Sequence, residues 1–184
     1  MQSWKRFEYR VRDFFLKRGF RSFRVPISGT SQAMKGDVTA EKGKLKFLVD
    51  AKSTVAKEEI RIERESLEKI KVEAKRSEIS VLVFSFKLHH KLYGVVDGQL
   101  LSNSGIELVE KATWAEDSIG IKREDVDKAL KEGKGIWFSF NNSDRKLACA
   151  PSSLRKGRKS YAAVELGELV DFLERTNRAL PKNY

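Results

Sequence analysis

Cysteine is almost absent from this chain. Cys149 stands alone among 184 residues, which excludes a disulfide framework and suits a reducing compartment. With no local base partner it reads as a small buried hydrophobe. Histidine is as scarce: His89 and His90 are adjacent and point opposite ways in an extended chain, so they cannot form the i, i+4 pair of a zinc helix. A loop or surface place suits them better. No run of about eighteen apolar residues occurs, and Met1 to Arg12 is charged instead of basic and then apolar, so neither a membrane span nor secretion is indicated. A cytoplasmic protein without a membrane partner is the expectation. Repeats, low-complexity tracts and long Gly/Pro linkers are also missing, which leaves one continuous body. Glutamine and asparagine number only three and five beside many Lys, Arg and Glu, a bias toward a hot-growing source.

Positive charge is what the chain has in excess. Lys and Arg outnumber Asp and Glu by 37 to 26, giving +11 and a pI near 9.7, which points to a polyanionic partner. The excess is uneven: residues 1–87 hold 21 basic and 12 acidic side chains, residues 88–184 hold 16 and 14. The first half should therefore carry most of the positive potential. Anionic membrane binding would need a basic helix with a bare apolar face, and here that face is committed to a core. Nucleic acid is the better partner. Hydrophobic residues make up 40% of the chain, with eleven Phe and three Trp, enough for a sizeable core.

Trp4, Phe7, Val11, Phe14 and Phe15 follow helical spacing and Gly19 stands where a cap belongs, so residues 3–18 read as an amphipathic helix. Phe20, Phe23 and Val25 suggest a strand ending at Pro26, before a small-residue loop, Ile27-Ser28-Gly29-Thr30-Ser31. Residues 35–41 and 44–52 flank Lys42-Gly43 as a hairpin. Ile60 and Ile62 mark a short extended piece, Leu67, Ile70 and Ala74 the stripe of a helix over 63–76, and residues 79–86 a strand buried on both faces. Beyond 87 the pattern gives a hairpin over 92–101 around Asp97-Gly98 and a helix over 123–131. Strands at 136–140 and 147–150 and a helix over 165–179 follow. Trp114 and Trp137 read as core or interface residues more than base-stacking platforms. The Arg155-Lys156-Gly157-Arg158-Lys159 stretch reads as an exposed basic loop, open to water or to a nucleic-acid backbone.

The chemistry lies in the first hairpin. With Lys42-Gly43 as a two-residue turn, Asp37 faces Leu48 and Lys35 faces Asp50, so Asp37 and Asp50 are diagonal neighbours on one face with β carbons roughly 7 Å apart. Lys52 projects from that face as well. Two carboxylates suit a hard divalent cation, and Mg²⁺ commonly takes one or two while keeping water and phosphate oxygens. Aspartates, a lysine and a phosphate-attracting surface are the parts of metal-assisted phosphodiester cleavage. Glu8 lies at the edge of the first helix's apolar stripe. It either approaches that site or a buried arginine, or reaches out to solvent as a boundary residue. The Ser28-to-Ser31 loop offers hydroxyls and N–H groups to a phosphate.

Glu8, Arg24-Val25-Pro26-Ile27-Ser28-Gly29, Gly36-Asp37 and Val49-Asp50-Ala51-Lys52-Ser53 together resemble the archaeal Holliday junction resolvase branch of the PD-(D/E)XK nuclease superfamily. The resemblance covers residues 3–87. It implies a mixed α/β fold with a restriction-endonuclease-like core over 1–87, whose helix, three strands, helix, strand order matches the one read from the residues; the pattern beyond 87 reads as an α+β extension over 88–184 packed on that core. It implies Glu8, Asp37 and Asp50 as metal-binding acids, the Ala51 carbonyl as an extra ligand, Lys52 beside the attacking water or scissile phosphate, and Ser28 or Ser31 as the loop serine. The expected cofactor is Mg²⁺, with Mn²⁺ able to substitute. The expected partner is branched or four-way DNA gripped by a homodimer, with Arg10, Arg12, Arg21, Arg24 and Lys35 on its phosphates.

Two departures stand out. Asp50 replaces the Glu more usual in the triplet, and the chain runs nearly one hundred residues past the core. The alternatives are a restriction- or repair-type endonuclease acting on linear or flapped DNA, and a non-catalytic DNA-binding protein that keeps the core.

Overall fold

The amphipathic spacing of Phe7, Val11 and Phe15 yields helix α1 (Ser3–Lys17), which buries all three. Gly19, at φ +78°, ends it: the Phe20 N–H donates to the Phe15 carbonyl (3.1 Å) and the Gly19 N–H to that of Leu16 (3.0 Å), while the rings of Phe15 and Phe20 meet at 5.4 Å. This is a Schellman stop with its apolar clasp. In this computed structural model the residues described are 3–25, 36–52, 58–87, 90–101, 106–110, 117–140 and 160–179.

The elements that follow are β1 (Arg21–Arg24), β2 (Val38–Lys42), β3 (Leu45–Lys52), β4 (Glu59–Glu63), α2 (Arg64–Glu73) and β5 (Ile79–Phe84). Then come β6 (Tyr93–Asp97), a 3₁₀ turn (Gly98–Leu101), β7 (Glu107–Glu110), β8 (Ser118–Lys122), α3 (Arg123–Lys131), β9 (Lys134–Ser139), β10 (Ser160–Glu165) and α4 (Leu166–Ala179). Eight strands form one sheet in the order β1-β2-β3-β5-β6-β10-β9-β7, and β4 and β8 form a second, two-stranded one. β3 and β5 are parallel, joined by the crossover that contains α2. β6 pairs antiparallel with β5, so the chain beyond residue 87 continues the same sheet.

Strand alternation divides the interior between two faces. Val49, Val81, Val83, Val96, Ala162 and Val164 join α1 and α4 in one apolar cluster. On the other face Leu82, Phe84, Tyr93, Val95, Phe138 and Tyr161 pack with Leu67 of α2, Val126 of α3, and Ile60, Ile62, Ile119 and Ile121 of the small sheet. Among the described residues no helix is long and apolar enough to cross a membrane.

Two local expectations are corrected, and one strand appears that the sequence pattern did not mark. The hairpin turn is Gly43-Lys44, with Lys42 opposite Leu45 and Val38 opposite Val49. A two-residue turn needs positive φ at its first position, and Gly43 supplies it at +61°. The register moves by two residues and the faces are conserved. Residues 92–101 are no hairpin: Asp97 Oδ1 accepts from the Gln99 N–H (3.0 Å), winding the chain into the 3₁₀ turn. Gly98 is required there because a Cβ would lie 2.4 Å from the Trp137 ring. Trp137 is accordingly half-buried against the core. Finally, β10 precedes α4 without a break. Its Ala-containing run, Ser-Tyr-Ala-Ala-Val-Glu, carries little strand signal of its own and is made a strand by β6 and β9 on either side. The expected strand at 147–150, Cys149, Trp114 and the basic stretch 155–159 lie outside the described residues.

Candidate active site

Asp37 and Asp50 come together at the open end of the first hairpin. The Val38–Val49 pairing, continued by one residue, sets Asp37 opposite Asp50. The Asp37 N–H donates to the Val49 carbonyl (2.8 Å), and its own carbonyl accepts from the Val25 N–H (2.8 Å), which ties this corner to the end of β1. Asp37 Oδ2 accepts from the Ala51 N–H (2.8 Å), fixing the carboxylate against the next strand. Gly36 permits the approach: it holds φ +72°, and a Cβ there would lie 2.9 Å from Leu48.

Both carboxyls pay for their place. Burial pushes Asp37 up from its ordinary range, against the pull of the Ala51 N–H. Burial, and then the charge of Asp37, push Asp50 up to about 6. Lys69 and Lys52 draw it down, insufficiently. Lys52 lies on the same face of β3, its ammonium 3.4 Å from Glu63 at the end of β4.

Glu8 is buried, and its partner is an arginine: Arg24 Nη1 donates to Glu8 Oε2 at 2.9 Å. Burial raises the Glu8 carboxyl, Arg24 lowers it, and the charge of Asp37 raises it further. Glu8 therefore stands within the field of Asp37 while bound to Arg24. Among the described residues no three His, Cys, Asp or Glu side chains gather closely enough to hold one metal ion. The two aspartates form the pair; Glu8 is a neighbour of it.

The expected DNA-contacting residues separate. Arg24 belongs to the site through Glu8 and also lies over the Tyr9 ring at 5.4 Å, where Arg12 lies too at 4.7 Å. Arg12 pairs with Asp13 (2.6 Å) and Arg21 with Glu41 across the β1–β2 ladder (3.3 Å). Arg10 reaches Ser85 Oγ (3.3 Å) and the Lys91 carbonyl (3.4 Å), and burial lowers its pKa. Ser28, Ser31 and Lys35 lie outside the described residues, as does His89.

Reasoning from sequence missed Lys69, Glu73 and Glu63. Lys69 is the leading cation in the field of both aspartates, with Glu73 opposing it. The pair is spaced i, i+4 beside the Leu67–Ile70 stripe of α2, a visible signal. Only the crossover between β3 and β5 turns that flank toward Asp50.

A "Crossover junction endodeoxyribonuclease" of Sulfolobus islandicus rod-shaped virus 1 is 32% identical over 69 residues, a stretch covering 38% of this chain and 56% of that protein. This chain thus spans little more than half the length of that relative. Among solved structures, Hjc of Archaeoglobus fulgidus, a Holliday junction resolvase, aligns over 65% of this chain and 88% of its own at 16% identity and a TM-score of 0.47. The model of the archaeal Holliday junction resolvase (Hjc) family matches residues 3–134, most of the chain, reaching past both aspartates and Lys52 into α3 and the start of β9, and by that match the chain belongs to this family.

Proposed function

We propose that the protein is a metal-dependent endodeoxyribonuclease that resolves four-way DNA junctions as a homodimer. The observation that carries this reading is the Asp37–Asp50 pair beside Lys52, on adjoining strands of a chain in the resolvase family. What supports a divalent ion is the chemistry of the donors: two hard carboxylates, both raised by burial, with the charge of Asp37 adding to the rise at Asp50. Asp37 and Asp50 would hold Mg²⁺, or Mn²⁺ in its place, with the Ala51 carbonyl within reach of the same corner. Such an ion, when bound, would supply a more acidic water and offset charge on the phosphate.

The chain's own groups do the rest. Asp37, braced by the Ala51 N–H, keeps one orientation. Asp50, pushed up to about 6, is half ionised near that pH and mostly ionised at neutral pH. Lys52 exchanges Glu63 for a non-bridging phosphate oxygen and orients the attacking water, and Arg24 offsets part of the burial that raises the Glu8 carboxyl beside them. Water attacks phosphorus and gives up a proton to solvent, the bond from phosphorus to the 3′ oxygen breaks, and that oxygen takes a proton from solvent, leaving a 3′ hydroxyl and a 5′ phosphate.

The test is cleavage of matched four-way, flapped and linear DNA with Mg²⁺ and with chelator. Paired symmetric nicks on the four-way substrate alone, lost in chelator, are expected. Equal cutting of linear DNA would make it a restriction- or repair-type nuclease instead, and binding without cutting a DNA-binding protein.

A further inference from the structure

The polar flank of α1 faces a groove of about 680 Å³ whose far wall comes from the second half of the chain. Arg6, Arg10, Arg12 and Lys17 line one side. Lys91, on the approach to β6, and Glu165, at the end of β10, line the other. The two carboxylates in the groove are already matched, Asp13 with Arg12 at 2.6 Å and Glu165 with Lys91 at 2.9 Å. Arg6 and Lys17 are exposed, and no ion pair engages either among the described residues. The groove is therefore net positive and open.

Tyr9 links it to the residues beside the aspartate corner. Tyr9 lines the groove, and its ring carries Arg12 of the groove on one count and Arg24 of the Glu8 pair on the other. A phosphate track led along α1 would pass Tyr9 and arrive beside Glu8 and Asp37.

We propose that this groove binds the sugar-phosphate backbone of one DNA arm away from the cut, and that residues beyond 87 serve the reaction by building its outer wall. The proposal rests on the nuclease reading above. The contacts are charge contacts to phosphate, without base readout. Glu165 is then a brake: it occupies Lys91 and places a negative charge on the track.

Fluorescence anisotropy on a labelled four-way junction, in chelator and over a range of salt, tests it. The double variant Arg6→Ala/Lys17→Ala should weaken binding roughly tenfold and lower the slope of log K against log salt by about 2. Lys128→Ala/Lys131→Ala, which removes the same charge from exposed positions on α3, should move the slope much less. Glu165→Gln should act oppositely, tightening binding and steepening the slope, a change no loss of packing produces. Wild-type affinity and slope in the first variant, or weakened binding in Glu165→Gln, would overturn the groove. Cleavage by Asp50→Asn reports separately on the nuclease reading: surviving cleavage there sinks that reading, whatever the groove variants do.

Discussion

The corner at β2 and β3 and the strands of the second half are built on opposite terms. At the corner, burial holds both aspartates above their ordinary pKa values, the charge of Asp37 adds to that rise at Asp50, and the Asp50 carboxyl has no hydrogen bond or ion pair among the described residues. In β6, β9 and β10 the inward positions are apolar or aromatic, among them Tyr93, Val95, Val96, Ile136, Phe138, Ala162 and Val164. Glycines there are bare so that side chains can close over them: a Cβ on Gly135 would lie 2.5 Å from Val164. One region keeps unfavourable charge in place, which packing alone would never select; the other is optimised for packing. On the reading proposed above, the first region is the one that does chemistry and the second the one that supports it.

The largest expected effect is at Asp37. In Asp37→Asn the side-chain oxygen still accepts the Ala51 N–H, so the melting temperature should stay near wild type while junction cleavage in Mg²⁺ falls by about 10³-fold or more. Thermal melting and single-turnover cleavage read the two sides. Cleavage within tenfold of wild type would remove the corner from the chemistry.

The second expected effect is its mirror image. In Gly98→Ala the new methyl meets Trp137 at 2.4 Å and Ser160 Oγ at 3.0 Å, so overpacking should cost up to about 3 kcal/mol of stability. Well below its melting point the variant should cut at the wild-type rate per folded molecule. Lost cutting with an unmoved melting curve would instead place the 3₁₀ turn in the reaction.

The same contrast explains what was legible in the sequence. Periodicity marked α1, α2 and α3, because each turns one apolar stripe to the core, and the alternation of the first hairpin put Asp37, Asp50 and Lys52 on one face because they are close in sequence around one turn, which the family resemblance then matched. The turn residue itself was misplaced by one, since strand alternation is indifferent to a shift of two in register and only the positive φ of Gly43 decides it. Glu8 read as a boundary residue turned either inward or to solvent, and its partner Arg24, which decides the matter, sits sixteen residues away and is brought near by β1. Lys69 and Glu63 come from α2 and β4, and no local pattern shows which strand a helix will cross. β10 was invisible for a related reason: Ala162 and Ala163 are strand residues through their neighbours, Val96 and Val95 on one side and Trp137 and Ile136 on the other.

The smallest effect has the opposite sign to a usual lesion. Asp50 titrates at about 6 in the folded protein against an ordinary 3.8, chiefly through burial and then through Asp37. A raised acid favours the folded state when both states are protonated, below about pH 4, and that advantage is lost as pH rises through 6. Above that range the ionised carboxylate costs folding on the order of 2 kcal/mol, allowing for water at a site that is not fully enclosed. Asp50→Asn removes the charge and keeps the shape. In chelator at pH 8 it should melt roughly 5 °C above wild type, and at pH 3.5 the two curves should coincide. It should also be unable to cut. A variant that melts at or below wild type at pH 8 would mean that Asp50 carries no electrostatic burden, and the contrast between corner and sheet would go with it.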